Sequence, residues 1–439
     1  MVTKSPTQTV ASSAPSYVGP FITITILYFI FGFITNLNMS LVPHLKSVFD
    51  LPWLEAAFAT GAFFTAYFVF STPTSMLIER IGYKRTIVVS LLLQVVGALL
   101  FLPAASSASF PLFLTAVFVV GAGVAALQTS ANPYVSALGP EHSAPIRQNL
   151  AQAFNSTGGM IAPLIAGEFI LKHKTLHSSA EVALMSAQQQ MAYKVSIAET
   201  VRLPYIIIAA ALVLLAIAVS FANLPAITAT RDFRPAKDGD ALLNRSIWSY
   251  RHTVLAAIGI FVYVGVEVGL ASFMVGYFGL QAVGGLSFAE ASKLTTFYWL
   301  GALIGRLLGA WIMTKVKAGK LLGIFGIAAT ICLLISMNTT GQVAIWSLIL
   351  CGFWNSIMFP NIFALGITGL GPMTSKGSGL IMTAVVGGAI LPVVLSGLID
   401  KYGFYVAAAL PVVCYLYIAF YGLVGHKPTG SSETSPVAL

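Results

Sequence analysis

Long apolar stretches recur along the whole chain, and almost every charged residue lies between them rather than within them. Hydrophobic residues occupy 57% of the 439 positions, whereas charged residues occupy only 8%. Soluble globular chains carry about 25% charged residues, and a helix that spans a bilayer needs roughly 20 consecutive apolar residues. The pattern predicts a polytopic helical membrane protein whose partner is the lipid bilayer, and it excludes disordered, disulfide-rich secreted and nucleic-acid-binding classes.

Apolar windows bounded by charges, glycines or prolines predict twelve membrane spans. They lie near residues 21–43, 54–78, 86–106, 110–138, 148–171, 203–223, 253–279, 293–314, 320–337, 342–370, 377–399 and 404–424. If both termini face the cytoplasm, the inner segments hold about twice as many Lys and Arg residues as the outer ones, which is the bias of bilayer proteins. We therefore expect a multi-pass protein of the plasma or inner membrane with cytoplasmic termini.

The second half of the chain repeats features of the first. GGMIAPLIAG begins at Gly158 and GGAILPVVLSG begins at Gly387, while the tripeptide LGP occurs at 138–140 and again at 370–372. Several matches near one offset predict a duplicated six-helix unit, which is typical of transporters that rock one half against the other. The expected segments are an N-terminal tail (1–20), a first bundle (21–223), a linker (224–252), a second bundle (253–424) and a C-terminal tail (425–439).

Two ionisable residues lie near the middle of predicted spans, Glu267 in the seventh and Arg306 in the eighth. An ionisable group at mid-depth costs about 2.5 to 3.5 kcal/mol by insertion scales, so it is a candidate for function. The two residues are interpreted either as part of a substrate and proton site or as a buried ion pair that only fixes helix packing.

Side-chain amides are concentrated in the predicted spans of the first half. Amides both donate and accept hydrogen bonds, as a ligand with a ring of hydroxyls requires, although single amides also join membrane helices to one another. As a set they predict a polar cavity, with one further amide from the second half. The candidate substrate-binding residues are Asn36, Asn38, Gln128, Asn132, Gln152, Asn155, Glu267, Arg306 and Asn361.

The segment between the second and third spans, SMLIERIGYKRT at 75–86, combines an acid, a glycine and three cations. It is interpreted as a latch between helix ends on the cytoplasmic side, or as ordinary basic flanking of membrane spans. The candidate gate residues are Glu79, Arg80, Gly82, Lys84 and Arg85.

The three cysteines, Cys332, Cys351 and Cys414, lie in apolar segments without the spacing of a metal site or a disulfide framework. Motifs for a catalytic nucleophile or a phosphate-binding loop are also missing from the sequence. We therefore expect no metal and no cofactor, and we do not expect an enzyme.

Several motifs resemble a known family. ERIGYKR at 79–85 resembles the loop signature of the major facilitator superfamily, with Glu79 in place of its usual Asp and Ser75 in place of its leading Gly. The remaining motifs are similar to the fucose and glucose/galactose permease branch of that superfamily, over essentially all of both halves. They are GFITNLNMSLVPHL (32–45), LQTSANPYVSALGPE (127–141), RQNLAQAFNSTGG (147–159), YVGVEV (263–268) and IGRLLGAW (304–311).

The resemblance implies an all-α fold of twelve helices in two pseudo-symmetric bundles that transports a neutral monosaccharide by alternating access. The family's carboxylates of spans one and four align with Met39 and Gln128, and neither of these can exchange a proton. Asn155 matches a sugar-binding asparagine, Arg306 matches the family arginine of span eight, and Glu267 resembles the glutamate of glucose/galactose-type members. Coupling to H+ through Glu267, coupling to Na+ and uncoupled facilitation all remain open.

The main hypothesis is therefore a sugar symporter that acts as a monomer, with Glu267 as the coupling residue. An exporter of drugs or organic ions from the same superfamily is the alternative, and it would favour an apolar cavity with a single acid. The amide-rich first half favours the sugar.

Overall fold

The computed structural model describes residues 18–49, 53–166, 184–222, 224 and 245–428, and within these ranges the regular structure is helical. An all-helical chain is expected in lipid, because a helix satisfies its backbone hydrogen bonds within one segment. Eight of the described helical segments are long and apolar enough to cross a membrane on their own. Residues 1–17 and 429–439 of the predicted tails, and residues 225–244 of the predicted linker, lie outside the described residues.

The described helices account for all twelve predicted spans. They are α1 (Val18–Phe49), α2 (Trp53–Ser107), α3 (Phe110–Ala137), α4 (Ala144–Ala166), α5 (Ala187–Ala198), α6 (Arg202–Phe221), α7 (Arg251–Gly279), α8 (Phe288–Ile312), α9 (Ala318–Asn338), α10 (Gly341–Asn355), α11 (Met358–Gly366), α12 (Thr374–Thr383), α13 (Gly387–Ala407) and α14 (Ala409–Phe420).

Two glycines turn the chain within otherwise continuous helices. Gly82 (φ 81°, ψ 168°) divides α2 into the second and third spans, and Gly403 (φ 79°, ψ 170°) divides α13 at the junction of the eleventh and twelfth. Glycine adopts this backbone region without the steric cost of a Cβ atom. The segment at 75–86 is therefore two helix ends meeting at one residue, which is a shorter connection than the sequence predicted.

Two spans of the second half are discontinuous. The tenth is broken at Ser356 and Ile357, between α10 and α11, and the eleventh passes through a 3-10 turn at Ala384–Val386, between α12 and α13. Broken helices at membrane depth leave backbone groups without their helical partners, and such groups are tolerated where protein or a polar cavity satisfies them. The two breaks therefore mark positions where polar side chains are needed.

The repeat predicted from the sequence has a structural counterpart. Gly158 of α4 packs against the Phe29 carbonyl of α1, and Gly387, at the start of α13, packs against the Phe261 carbonyl of α7. In each half the fifth membrane span thus approaches the first membrane span through a glycine, because a larger residue would hold the two backbones apart.

Candidate functional site

Tyr28 of α1 connects three spans of the first half. Its buried hydroxyl group lies against the Asn132 side-chain oxygen and 3.3 Å from Oε1 of Gln148, while its backbone carbonyl accepts a 3.4 Å hydrogen bond from the Asn155 amide. Gln148 in turn donates to the Asn132 carbonyl and, at 2.9 Å, to the Ser136 hydroxyl. Two of the predicted amides, Asn132 and Asn155, are therefore held in place by the same tyrosine.

The other predicted amides of the first half lie in separate positions. Asn36 donates to the Gly32 carbonyl of its own helix at 3.0 Å and packs against Gly159 of α4. Gln128 is buried and donates to the Tyr67 hydroxyl of α2 at 2.7 Å. The side chain of Asn38 lies outside the described residues.

Glu267 and Arg306, the two ionisable residues predicted near the middle of spans, have different partners. The Glu267 carboxylate accepts a 2.7 Å hydrogen bond from the Tyr263 hydroxyl, one turn earlier on α7. Arg306 is buried and acts on Glu267 only through longer-range electrostatic attraction. Its guanidinium donates to the Ser356 carbonyl at 3.1 Å, at the break between α10 and α11. Arg306 thereby satisfies a carbonyl beside the break, and the predicted pair is not a direct ion pair.

Contacts between the two halves run through the predicted site. Arg306 donates to the Gln152 carbonyl of α4 at 3.3 Å, which links the eighth span to the fifth. The amide of Asn149, also on α4, donates to Oδ1 of Asn361 on α11 at 2.8 Å. The Asn132 amide donates to the sulfur of Met382 at 3.4 Å. Polar residues predicted from both halves therefore meet at the interface between the halves.

Four polar side-chain atoms on the broken tenth span or on Asn149, which contacts it, are buried and make no hydrogen bond within the described part of the chain. They are Oδ1 of Asn149, Nδ2 of Asn361, Oδ1 of Asn355 and Oγ of Ser356. An unsatisfied buried polar group costs about 1 to 3 kcal/mol, so such groups are rare unless they serve a ligand or water. The set holds both donors and acceptors beside the broken tenth span.

On one face of the molecule the helix ends of the two halves are joined. We call it the linker face, because Gly82, the connection at 138–143 and the end of the linker all lie there. The Ser375 hydroxyl donates to Glu79 at 3.0 Å, and the backbone amide of Gly369 donates to Glu141 at 2.7 Å. Of the predicted gate residues, Glu79 accepts a hydrogen bond from the other half, whereas Gly82 forms the turn between the second and third spans.

The three cations of the predicted gate, Arg80, Lys84 and Arg85, flank Gly82 on the surface, and Lys84 is partly covered. Deeper in the molecule, the Ser378 hydroxyl donates to the Thr129 carbonyl at 2.8 Å. The halves are therefore joined from the linker face inward along the second, fourth and eleventh spans.

Sequence reasoning did not identify the tyrosines that orient the predicted site residues. Tyr263 precedes Glu267 by four residues on one helix, and that spacing was a usable signal. Tyr28, Tyr67 and Tyr298, which accepts from the Asn355 amide at 2.6 Å, meet partners on other spans. No local pattern distinguishes these tyrosines from the many that only fill the core.

Twelve spans formed by the described helices in two related halves, two of them broken, and a buried polar interface between the halves define a membrane transporter of the alternating-access class. The family model for the Major Facilitator Superfamily matches residues 24–392. The chain belongs to this superfamily, as the sequence motifs predicted, and the expected all-α two-bundle fold is confirmed.

The curated relatives and a solved structure agree with this assignment. A glucose/galactose transporter of Brucella abortus is 43% identical over 97% of this chain and 98% of its own length. The L-fucose-proton symporter of Escherichia coli is 34% identical over 93% of both chains. The crystal structure of the superfamily transporter FucP in the outward conformation superposes with a TM-score of 0.84, at 34% identity, over 93% of this chain and 99% of that one.

Proposed function

We propose that the protein transports a neutral monosaccharide of the glucose, galactose or L-fucose type by alternating access. The observation that carries this proposal is the set of unused buried donors and acceptors beside the broken tenth span. A sugar hydroxyl both donates and accepts, so it can satisfy an amide oxygen and an amide nitrogen together. The names of the curated relatives, a glucose/galactose transporter and an L-fucose-proton symporter, support a hexose.

The proposed sugar site comprises Asn36, Asn38, Gln128, Asn132, Gln152, Asn155, Glu267, Arg306 and Asn361. Tyr28 and Tyr263 act as positioning residues, because each holds site residues through hydrogen bonds. Affinity in the millimolar range is expected, since it corresponds to only about 4 kcal/mol and allows the sugar to leave.

We infer that sugar uptake is driven by protons and that Glu267 carries the coupling proton. Support comes from the proton symporter among the relatives and from the position of Glu267, whose carboxylate is hydrogen-bonded to Tyr263 and attracted by Arg306. A carboxylate that alternates between a cation and a proton can link sugar binding to proton movement. Met39 and Gln128, which replace the family's other carboxylates, cannot do so.

We also propose the orientation and the limits of the two halves. The first bundle comprises residues 21–223 and the second comprises 253–424, with a linker at 224–252, and the protein works as a monomer. The excess of Lys and Arg on the linker face supports a cytoplasmic location for that face and for both termini. With this orientation, the contacts of Glu79 and Glu141 close the cytoplasmic side.

Uptake into proteoliposomes tests the proposed function. Purified protein is reconstituted and offered labelled glucose, galactose or L-fucose, with an imposed proton gradient, an imposed sodium gradient or none. We expect concentrative uptake of a hexose with the proton gradient, of about fifty-fold when one charge moves down about 100 mV. If the sugar only equilibrates across the membrane, the protein is a facilitator. If accumulation depends on the sodium gradient, sodium and not the proton is the coupling ion. No uptake of any hexose would overturn the function.

A further inference from the structure

A hollow of about 220 Å³ lies between the two halves at the linker face. One wall is the start of α4, with Pro145 and Ile146, together with His142 of the 3-10 turn before it. The other wall is the connection between α8 and α9, residues 313–318. Each half of the transporter therefore supplies one wall. The proposed sugar site does not include any of these residues.

The lining of the hollow is positively charged. Lys315 and Lys317 line it from the second half, and both side chains are exposed, with the Lys315 ammonium 5.4 Å from the centroid of the Trp311 ring. Among the described residues that form the walls there is no Asp or Glu. The nearby Glu141 is not one of the lining residues, and its carboxylate accepts a hydrogen bond from the Gly369 amide. The charge of the lining thus favours an anionic ligand.

The backbone of the second wall supports the same interpretation. Helix α9 begins at Ala318, and its N-cap residue, Lys317, gives the helix no side-chain cap. The first amide groups of a helix have no intrahelical acceptor and attract negative charge. Ala318 lines the hollow, so these amides add to the charge of the two lysines.

The volume of the hollow limits the size of the ligand. Pockets for drug-sized molecules measure about 300 to 1,000 Å³, and this one is smaller. It suits a phosphate group, together with at most a small attached group. The ammonium groups of lysines are well suited to bind phosphate as point charges.

We propose that this hollow binds a phosphate-bearing anion that bridges the two halves and stabilises the state in which the linker face is closed. Because the walls belong to different halves, opening that face separates them, and an anion that binds only the closed state shifts the equilibrium towards it. Bound anion therefore slows transport. The effect on transport rests on the proposed alternating-access function, whereas the binding itself does not.

Binding is measured first, by titrating purified protein in phosphatidylcholine nanodiscs with inorganic phosphate and with glucose 6-phosphate. The Lys315→Gln/Lys317→Gln variant is expected to bind at least about tenfold more weakly, since a hydrogen bond to a charged group contributes about 1.5 to 3 kcal/mol. Lys320→Gln is the control, because it removes one positive charge from an exposed position on α9 outside the hollow.

A second arm distinguishes a soluble anion from a lipid headgroup. Thermal unfolding is compared in nanodiscs of phosphatidylcholine alone and of phosphatidylcholine with phosphatidylglycerol. If the anionic lipid stabilises the protein, and the double variant loses this effect while Lys320→Gln retains it, the phosphate belongs to a lipid. If instead the soluble probes bind, and the double variant loses that binding while Lys320→Gln retains it, the phosphate belongs to a free anion. The site is overturned if neither probe binds, or if Lys320→Gln weakens binding equally.

The effect on transport is measured by sugar counterflow with phosphate present at the linker face. We expect slower counterflow in the unmodified protein and no slowing in the double variant. Binding without any effect on counterflow would overturn the bridging role. A complete lack of sugar counterflow, with binding intact, would instead contradict the proposed function, so the two failures are distinguishable.

Discussion

At the scale of single residues, the polar side chains of the spans are organised by tyrosine hydroxyl groups. Tyr28 contacts Asn132 and Gln148, Tyr67 accepts from Gln128, and Tyr263 donates to Glu267. A buried amide without such a partner adopts several rotamers, whereas a hydrogen-bonded one presents its free atoms in a fixed direction. These tyrosines therefore determine where a sugar would find its donors and acceptors.

Replacing Tyr28 by Phe tests this role. The change removes one oxygen atom and takes the hydroxyl donor away from the side-chain oxygens of Asn132 and Gln148, so we expect a loss of stability on the order of 1–2 kcal/mol. Sugar uptake should fall at least tenfold. Tyr277→Phe is the control, because it removes a buried hydrogen bond to the Ser336 carbonyl in the second half, away from Tyr28. Equal loss of uptake in both variants would show that Tyr28 only stabilises the fold.

Replacing Glu267 by Gln separates coupling from binding. The amide still accepts the hydrogen bond from Tyr263 but cannot take up a proton, so accumulation should stop while sugar exchange continues. Uptake in proteoliposomes with and without a proton gradient measures the two activities. Glu290→Gln, at an exposed helix start, is expected to leave both unchanged. The coupling role is wrong if Glu267→Gln still concentrates sugar.

Replacing Asn155 by Ala tests the sugar site itself. Within the described residues its amide has one hydrogen bond, to the Tyr28 carbonyl at 3.4 Å, so the fold loses little when the side chain is shortened. We expect uptake to be nearly abolished while the protein stays folded and in the membrane, as judged by thermal unfolding and membrane yield. Uptake at the unmodified level would remove Asn155 from the site.

At the scale of helices, the close packing of the fifth and eleventh spans depends on glycine. Gly158 and Gly387 occupy matching positions in the two halves, and a Cβ atom at either would overlap a backbone carbonyl of the helix opposite. Backbone atoms cannot move aside as a flexible side chain can, so the helices would have to separate. This contact recurs because the corresponding helices of the two halves pack in the same way.

Gly158→Ala and Gly387→Ala are therefore each expected to destabilise the protein by about 1–3 kcal/mol, the usual cost of overpacking. Gly397→Ala is the matched control on α13, where a Cβ atom would have open space around it. Thermal unfolding of the three variants in detergent measures the difference. Stability equal to that of the control would contradict the requirement for glycine at the helix crossings.

At the scale of the whole molecule, the structure is held with the linker face closed by contacts between its halves. The strongest of these in chemical terms join carboxylates to the other half, Glu141 to the Gly369 amide and Glu79 to the Ser375 hydroxyl. Hydrogen bonds to charged groups contribute about 1.5 to 3 kcal/mol, which is enough to shift a two-state equilibrium about tenfold or more.

Glu141→Ala should therefore open the linker face more often. A cysteine introduced by Ser378→Cys, at a fully buried position behind the contacts, should react about tenfold faster with a water-soluble thiol reagent. The native cysteines are buried, so the protein without Ser378→Cys gives the background. Glu290→Ala, at the start of α8 on the opposite face, should leave the rate of cysteine labelling unchanged. An unchanged rate in Glu141→Ala would show that this contact does not hold the gate.

The sequence by itself determined the class, the twelve spans, the duplicated halves and the family, because lipid allows few charges and requires long apolar helices. It also indicated which polar residues lie at membrane depth, Glu267 and Arg306 among them. Only the tertiary structure decided their partners. Arg306 donates its hydrogen bonds to carbonyls, one of them beside a broken helix, and not to Glu267, and Tyr28 joins amides more than a hundred residues away. Such contacts depend on how separate helices pack, and local sequence patterns carry little information about that packing.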